Sequence, residues 1–128
     1  MNFPDNLKYT KDHEWVQVDG KIAVVGITDF AQSELGDIVF VDIETLGETL
    51  EKEAVFGTIE AVKTVSDLFM PVSGKIISIN EVMTSKPESL NSDPYGNAWM
   101  IRVEMSDPSE LNDLMSASDY RQMVGANA

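Results

Sequence analysis

Short apolar, β-prone stretches separated by turn-forming residues recur along most of the chain, a pattern that predicts a mainly β fold. Asp12–Val18 and Lys21–Ile27 flank Asp19-Gly20 and read as a β-hairpin. Thr28 or Asp29 is placed to cap a short helix through Ala31, Glu34 and Leu35, with Gly36 to end it. Asp37–Ile43 is almost continuously apolar and predicts a buried strand. Gly47-Glu48 reads as a turn, and Thr49–Glu53 leads towards a second hairpin. Residues 80–95 hold Pro87 and Pro94 among serines and asparagines and read as loop with a turn of helix. Trp99–Met105 predicts the last strand, and Phe40, Trp99 and Met100 read as core. Asp107-Pro108 then supplies an N-cap and a first helical position, with Leu111, Leu114 and Met115 on one face. A second short helix from Ser118 groups Tyr120, Met123 and Val124. Closely spaced strands with helices mainly at the end predict a small sandwich or barrel, expected as one domain over residues 1–128.

Within this frame the second hairpin, about residues 54–79, draws attention to one side chain. Ala54–Ile59 and Val65–Phe69 are apolar and β-prone, and between them stands Glu60-Ala61-Val62-Lys63-Thr64. Pro71-Val72-Ser73-Gly74 breaks the pattern before Lys75–Ile79 resumes it. Two strands meeting at a tight turn would hold the Lys63 amine in water on a short, stiff support, which suits attachment of a long group. An ordinary surface lysine, in a hairpin or in one turn of helix, is the bland alternative, since Glu-Ala-Val-Lys has good helix propensity. The β-branched Thr58, Ile59, Val62, Thr64 and Val65 speak against the helix.

Charge and composition narrow the function classes. The chain has 22 acidic against 9 basic side chains, a formal charge of -13, which repels nucleic acid and anionic membranes. Such acidity serves solubility, and it also steers towards basic docking surfaces on partner proteins. Hydrophobic residues make up 43% of the chain, so a packed core is expected. There is no cysteine, hence neither a disulfide framework nor a thiol nucleophile. The first residues show no basic segment followed by an apolar one, and no apolar run approaches membrane-spanning length. The expectation is a soluble protein of a reducing compartment: the bacterial cytoplasm, or the mitochondrial matrix if a presequence has been removed.

Conventional catalysis finds little support. His13 is the only histidine, no serine lies in a Gly-x-Ser-x-Gly elbow, and no phosphate-cradling glycine loop or zinc-ligand spacing is present. Asp12-His13-Glu14 offers metal-ligand types, but neighbours in a strand point to opposite faces. An exposed strand edge anchored by a packed Trp15 is the favoured reading there. No catalytic and no metal-binding residue is assigned.

Glu60-Ala61-Val62-Lys63, followed by Pro71 and Gly74 and preceded by Gly47-Glu48-Thr49-Leu50, resembles the biotinyl/lipoyl carrier module. Carrier lysines for biotin typically lie between two methionines, whereas Lys63 lies between Val62 and Thr64, which favours lipoate. Lys8–Val16, Val25–Gln32, Leu35–Val41, Val65–Asp67, Asn91–Gly96 and Trp99 then resemble, in order, the H-protein family of the glycine cleavage system. The resemblance spans roughly Leu7 to Tyr120. The family usually has serine at the position of Ala61 and alanine at that of Thr64, and Glu44–Ala54 also differs from common members.

The resemblance implies a hybrid barrel-sandwich of the biotinyl/lipoyl type with short helices, including a C-terminal one at about residues 107–124. It implies lipoate in amide linkage to Lys63, attached by a separate lipoylating enzyme. The protein would be a carrier rather than an enzyme, serving glycine catabolism and one-carbon metabolism. Its partners would be glycine decarboxylase (the P protein), aminomethyltransferase (the T protein) and dihydrolipoamide dehydrogenase (the L protein). Glu14 and Asp67 match positions associated in the family with a cleft for the aminomethyl-bearing arm; solvated acids or turn caps are the plainer roles for both. A monomer is expected, because Lys63 must visit several active sites. A lipoyl relay to 2-oxoacid dehydrogenases, and an unmodified β-domain that only binds partners, are the competing readings.

Overall fold

The Asp19-Gly20 turn closes the first hairpin as its composition requires, with Gly20 at φ 62 and the flanking strands β2 (Glu14–Asp19) and β3 (Ile22–Ile27) paired Trp15 to Gly26 and Val16 to Val25. The computed structural model describes residues 2–125. β1 (Lys8–Tyr9) adds to β2, and the sheet continues through β9 (Ile101–Met105), β8 (Gly74–Ile79) and β5 (Thr49–Leu50), in the order β1-β2-β3-β9-β8-β5. A second sheet has the order β4-β6-β7, from Ile38–Asp42, Val55–Ala61 and Val65–Phe69. Every pairing is antiparallel.

The two sheets share one core. Val16, Val25, Ile76 and Val103 of the larger sheet interleave with Val41, Phe56, Ile59 and Leu68 of the smaller. Because successive strand residues face opposite ways, Trp15 leaves this core and enters a second cluster with Phe3, Leu7, Tyr9, Ala117 and Tyr120. That cluster is covered by the C-terminal helix. Glu14 lies two residues before Val16, so it points inward between the sheets.

The helix after β3, α1 (Asp29–Leu35), is capped by Thr28, whose hydroxyl accepts from the Ala31 N–H, and ends at Gly36 with φ 77. Residues 80–95 contain two single-turn helices, α2 (Val82–Ser85) and α3 (Ser89–Ser92). Ser116 caps the final helix, α4 (Ala117–Val124), one residue earlier than the sequence reading begins it.

Several expectations need correction. The segment 37–43 is not a buried strand: Val39 and Phe40 are 51% and 52% exposed. A register shift between Ile38 and Phe40 disrupts the alternation, and both Val39 and Phe40 face away from the core. Phe40 is therefore not core, and Trp99 is only partly buried, with the Arg102 guanidinium 4.0 Å above its ring. Met100 is core as read. The helix after Pro108 is a 3-10 helix ending at Asp113, so Met115 is not on its face. Met115 instead exchanges backbone hydrogen bonds with Tyr9. Met123 is 43% exposed and does not join Tyr120 and Val124.

Candidate functional site

The β6–β7 hairpin is closed by Ala61 N–H donating to the Thr64 carbonyl at 2.8 Å, which leaves Val62 and Lys63 as the two residues of the turn. The Val62 N–H donates to the Asp37 carbonyl at 3.0 Å and ties the tip to the chain just before β4. The tip is thus bonded at two points, and Lys63 stands exposed on it. A tight turn with Lys63 exposed at its tip is the geometry that the hairpin pattern predicts.

From Lys63 a trough of about 300 Å³ runs along the end of α1, lined by Ser33, Glu34, Leu35 and Val62. Glu34 and Leu35 also line a second cavity, of about 200 Å³, between α1 and β7. Its apolar wall is Ile27, Ala31, Leu35, Ile59 and Leu68, and its carboxyl groups are Asp12, Glu14, Glu34 and Asp67. A greasy slot with acids at its rim and floor fits an apolar chain that ends in a cation.

The two predicted acids differ sharply. Asp67 is exposed on β7, at the rim. Glu14 is 2% exposed, which corrects the picture of an exposed strand edge and of a solvated acid. Its Oε2 accepts from the Phe69 N–H on β7 at 3.1 Å, and its Oε1 accepts from the Thr10 hydroxyl at 3.0 Å. The carboxyl thus bridges the two sheets. Burial pushes its pKa from 4.5 up to about 8, with Asp12 and Glu53 adding repulsion, while the two donors pull it down. Desolvation wins. At neutral pH the resting group is therefore mostly protonated.

His13 precedes the strand and sits at φ 67, a left-handed conformation that bulky residues rarely adopt. Its Nδ1 is 2.9 Å from the Tyr120 hydroxyl, which in turn lies 2.7 Å from the Thr28 hydroxyl. Burial holds the imidazole below its ordinary pKa, against the pull of Asp12 and Glu34. The ring is thereby occupied with α4 and α1. Among the described residues no cluster of three or more His, Asp or Glu side chains is arranged to hold a metal ion.

A larger cavity, about 330 Å³, lies on the other side of Glu14 and is lined by Tyr9, Lys11, Lys52, Pro71 and Met115 among others. Sequence reading missed the part played by α1 as a cleft wall and by Thr10 as a partner of Glu14. Neither carries a local signal: both contributions arise only when distant strands are brought together.

The site can be set against known proteins. The profile of the family described as glycine cleavage H-protein matches residues 7–127. A glycine cleavage system H protein of Bacteroides thetaiotaomicron is 57% identical over 124 residues, covering 97% of this chain and 98% of that protein. One of Chlorobium phaeovibrioides is 55% identical over 127 residues, covering 98% and 99%. The crystal structure of a glycine cleavage system H protein from Mycobacterium marinum superposes with a TM-score of 0.88 at 36% identity, covering 96% of this chain and 99% of that one. With a rigid exposed lysine above an acid-floored apolar slot, and agreement along nearly its whole length, the chain belongs to the glycine cleavage H-protein family.

Proposed function

We propose that the protein is the lipoyl-bearing shuttle of a glycine cleavage system, with the lipoyl group in amide linkage to Lys63. The observation that carries this reading is the position of Lys63, exposed on a doubly tethered turn at the head of a trough that leads towards Glu14. Glycine decarboxylase loads the aminomethyl unit, aminomethyltransferase removes it, and dihydrolipoamide dehydrogenase restores the oxidised arm. We place this traffic in the bacterial cytoplasm, in line with the bacterial sources of the relatives. Held at Lys63, such a group would supply a reducible S–S bond able to carry an aminomethyl unit on sulfur and to be restored by two-electron oxidation.

The residues of this chain fit such a group. Ile27, Ala31, Leu35, Ile59 and Leu68 offer a dry wall for the hydrocarbon and sulfur of an arm folded back along the trough. Glu14 and Asp67 offer carboxyl groups to the primary amine of the cargo. An ammonium at the floor would draw Glu14 into its charged form, because an opposite charge favours ionisation and a charge-assisted hydrogen bond holds the pair. Such shelter keeps water from the labile carbon between sulfur and nitrogen. The -13 formal charge favours encounter with basic partner surfaces, which suits brief visits to several enzymes.

Intact-mass and peptide mass spectrometry of protein from lipoate-competent cells tests the attachment. A lipoyl-sized addition confined to the Lys63 peptide is the expected result. A biotin-sized addition would redirect the function to carboxyl transfer, and no addition, in cells whose other lipoyl proteins are modified, would refute the carrier reading. For the cleft, Glu14→Ala is expected to speed ammonia loss from the loaded protein, and an unchanged rate would remove Glu14 from the sheltering role.

A further inference from the structure

Among the described residues Thr10 is the one side chain that donates a hydrogen bond to Glu14, and its own bonding leaves it no choice of direction. The Thr10 hydroxyl oxygen accepts the backbone N–H groups of Asp12 and Glu14, each at 3.2 Å. A hydroxyl has two lone pairs and one hydrogen. With both lone pairs taken, the hydrogen is committed to Glu14 Oε1, 3.0 Å away. The other oxygen already receives the Phe69 N–H. Both protein neighbours of the carboxyl are thus donors, and neither can accept a proton from it. When Glu14 is neutral, its own proton has to face one of the two cavities that the residue lines.

We propose that Thr10 is a positioning residue for Glu14: its hydroxyl, together with the Phe69 N–H, fixes the carboxyl plane and leaves the free lone pairs and the exchangeable proton facing the cavities, where the amine of the cargo meets them. This rests on the sheltering role assigned to Glu14 above. A carboxyl with four lone-pair sites and two of them filled by the protein retains two for an incoming ammonium. The same clamp favours the charged form that the ammonium needs, against the cost of burial.

The surrounding charges do not replace it. Asp12 on the same turn and Glu53 before β6 repel the charged form. Asp67 on β7 and Glu34 on α1 stand at the cleft, each exposed. Across the larger cavity Lys52 is held 3.3 Å from Asp113 and Lys11 is 3.8 Å from Glu53. His13 turns its Nδ1 to Tyr120.

The test is the titration of Glu14 in the unlipoylated full chain, followed by NMR of 13C-labelled glutamate carboxyls and assigned by comparison with Glu14→Gln. Thr10→Val keeps the shape and removes the hydroxyl, so the Glu14 midpoint is expected to rise by about one pH unit. Thr10→Ser restores the hydroxyl and should return the midpoint to that of the unchanged protein. If valine perturbs the turn, Thr10→Ala gives the same reading. An unmoved midpoint in both hydroxyl-free variants overturns the proposal. The second readout is ammonia release from the loaded protein, expected to be several-fold faster in Thr10→Val and unchanged in Thr10→Ser. Faster release in Glu14→Gln without any change in Thr10→Val would also overturn the positioning role. If Glu14→Gln itself releases at the ordinary rate, the sheltering reading fails, and the titration alone decides the clamp.

Discussion

Replacing Glu14 by Gln should destabilise the protein in mild acid and stabilise it in mild alkali. The group is 2% exposed and its pKa is raised from 4.5 to about 8. Below about pH 4.5 the folded and unfolded chains both carry the proton, and the burial costs no ionisation. Between those values the folded chain holds a proton that the unfolded chain has released, so stability falls as pH rises. Above about pH 8 the loss is complete. The separation of the two values corresponds to about 5 kcal/mol. Gln carries no charge and so escapes that loss, but its amide presents only one acceptor to two fixed donors, the Thr10 O–H and the Phe69 N–H. One donor is left facing N–H, at a cost of about 1–3 kcal/mol. The variant is therefore expected to be less stable than the parent by about 1–3 kcal/mol near pH 4 and more stable by about 2–4 kcal/mol near pH 9. Urea unfolding of both proteins across this range measures the difference, and the other titrating groups cancel in the comparison. A difference of the same sign and size at both ends would refute the reasoning, because it would mean that Glu14 ionises in the folded protein about as easily as in water.

Three further outcomes follow from the packing and the hairpin. Gly26→Ala would set a methyl 2.6 Å from the Trp15 ring and push the indole off its 2.9 Å bond to the Pro94 carbonyl, with an expected loss of about 2–4 kcal/mol, read by urea unfolding and near-ultraviolet circular dichroism. Tyr120→Phe removes the hydroxyl that links His13 to Thr28 and should cost about 1–3 kcal/mol by the same unfolding assay; a cost near zero would show that water replaces it freely. Lys63→Arg lies on the exposed tip, so the unfolding midpoint should stay within about 0.5 kcal/mol of the parent while lipoylation in cells, read by mass spectrometry, is lost.

Much of the architecture is legible in the sequence because its causes are local. Asp19-Gly20 closes a hairpin since glycine adopts positive φ without cost, and Thr28 caps a helix because its hydroxyl reaches the N–H group three residues on. The turn bearing Lys63 follows from β-branched neighbours on both sides, and the ordered motifs around it name the family. Tertiary structure decided the rest, and it decided burial above all. A strand's side chains alternate, but which of them are covered depends on register and on what packs there: Phe40 is half exposed where the register of β4 shifts. Glu14 is buried because its inward face meets β7, whose Phe69 lies 55 residues away, and the loss of water around the carboxyl raises its pKa despite the Phe69 N–H. The His13–Tyr120 contact spans 107 residues. Sequence specifies residue types and local geometry, whereas solvation and the partners of a polar group are set only when distant segments close around it.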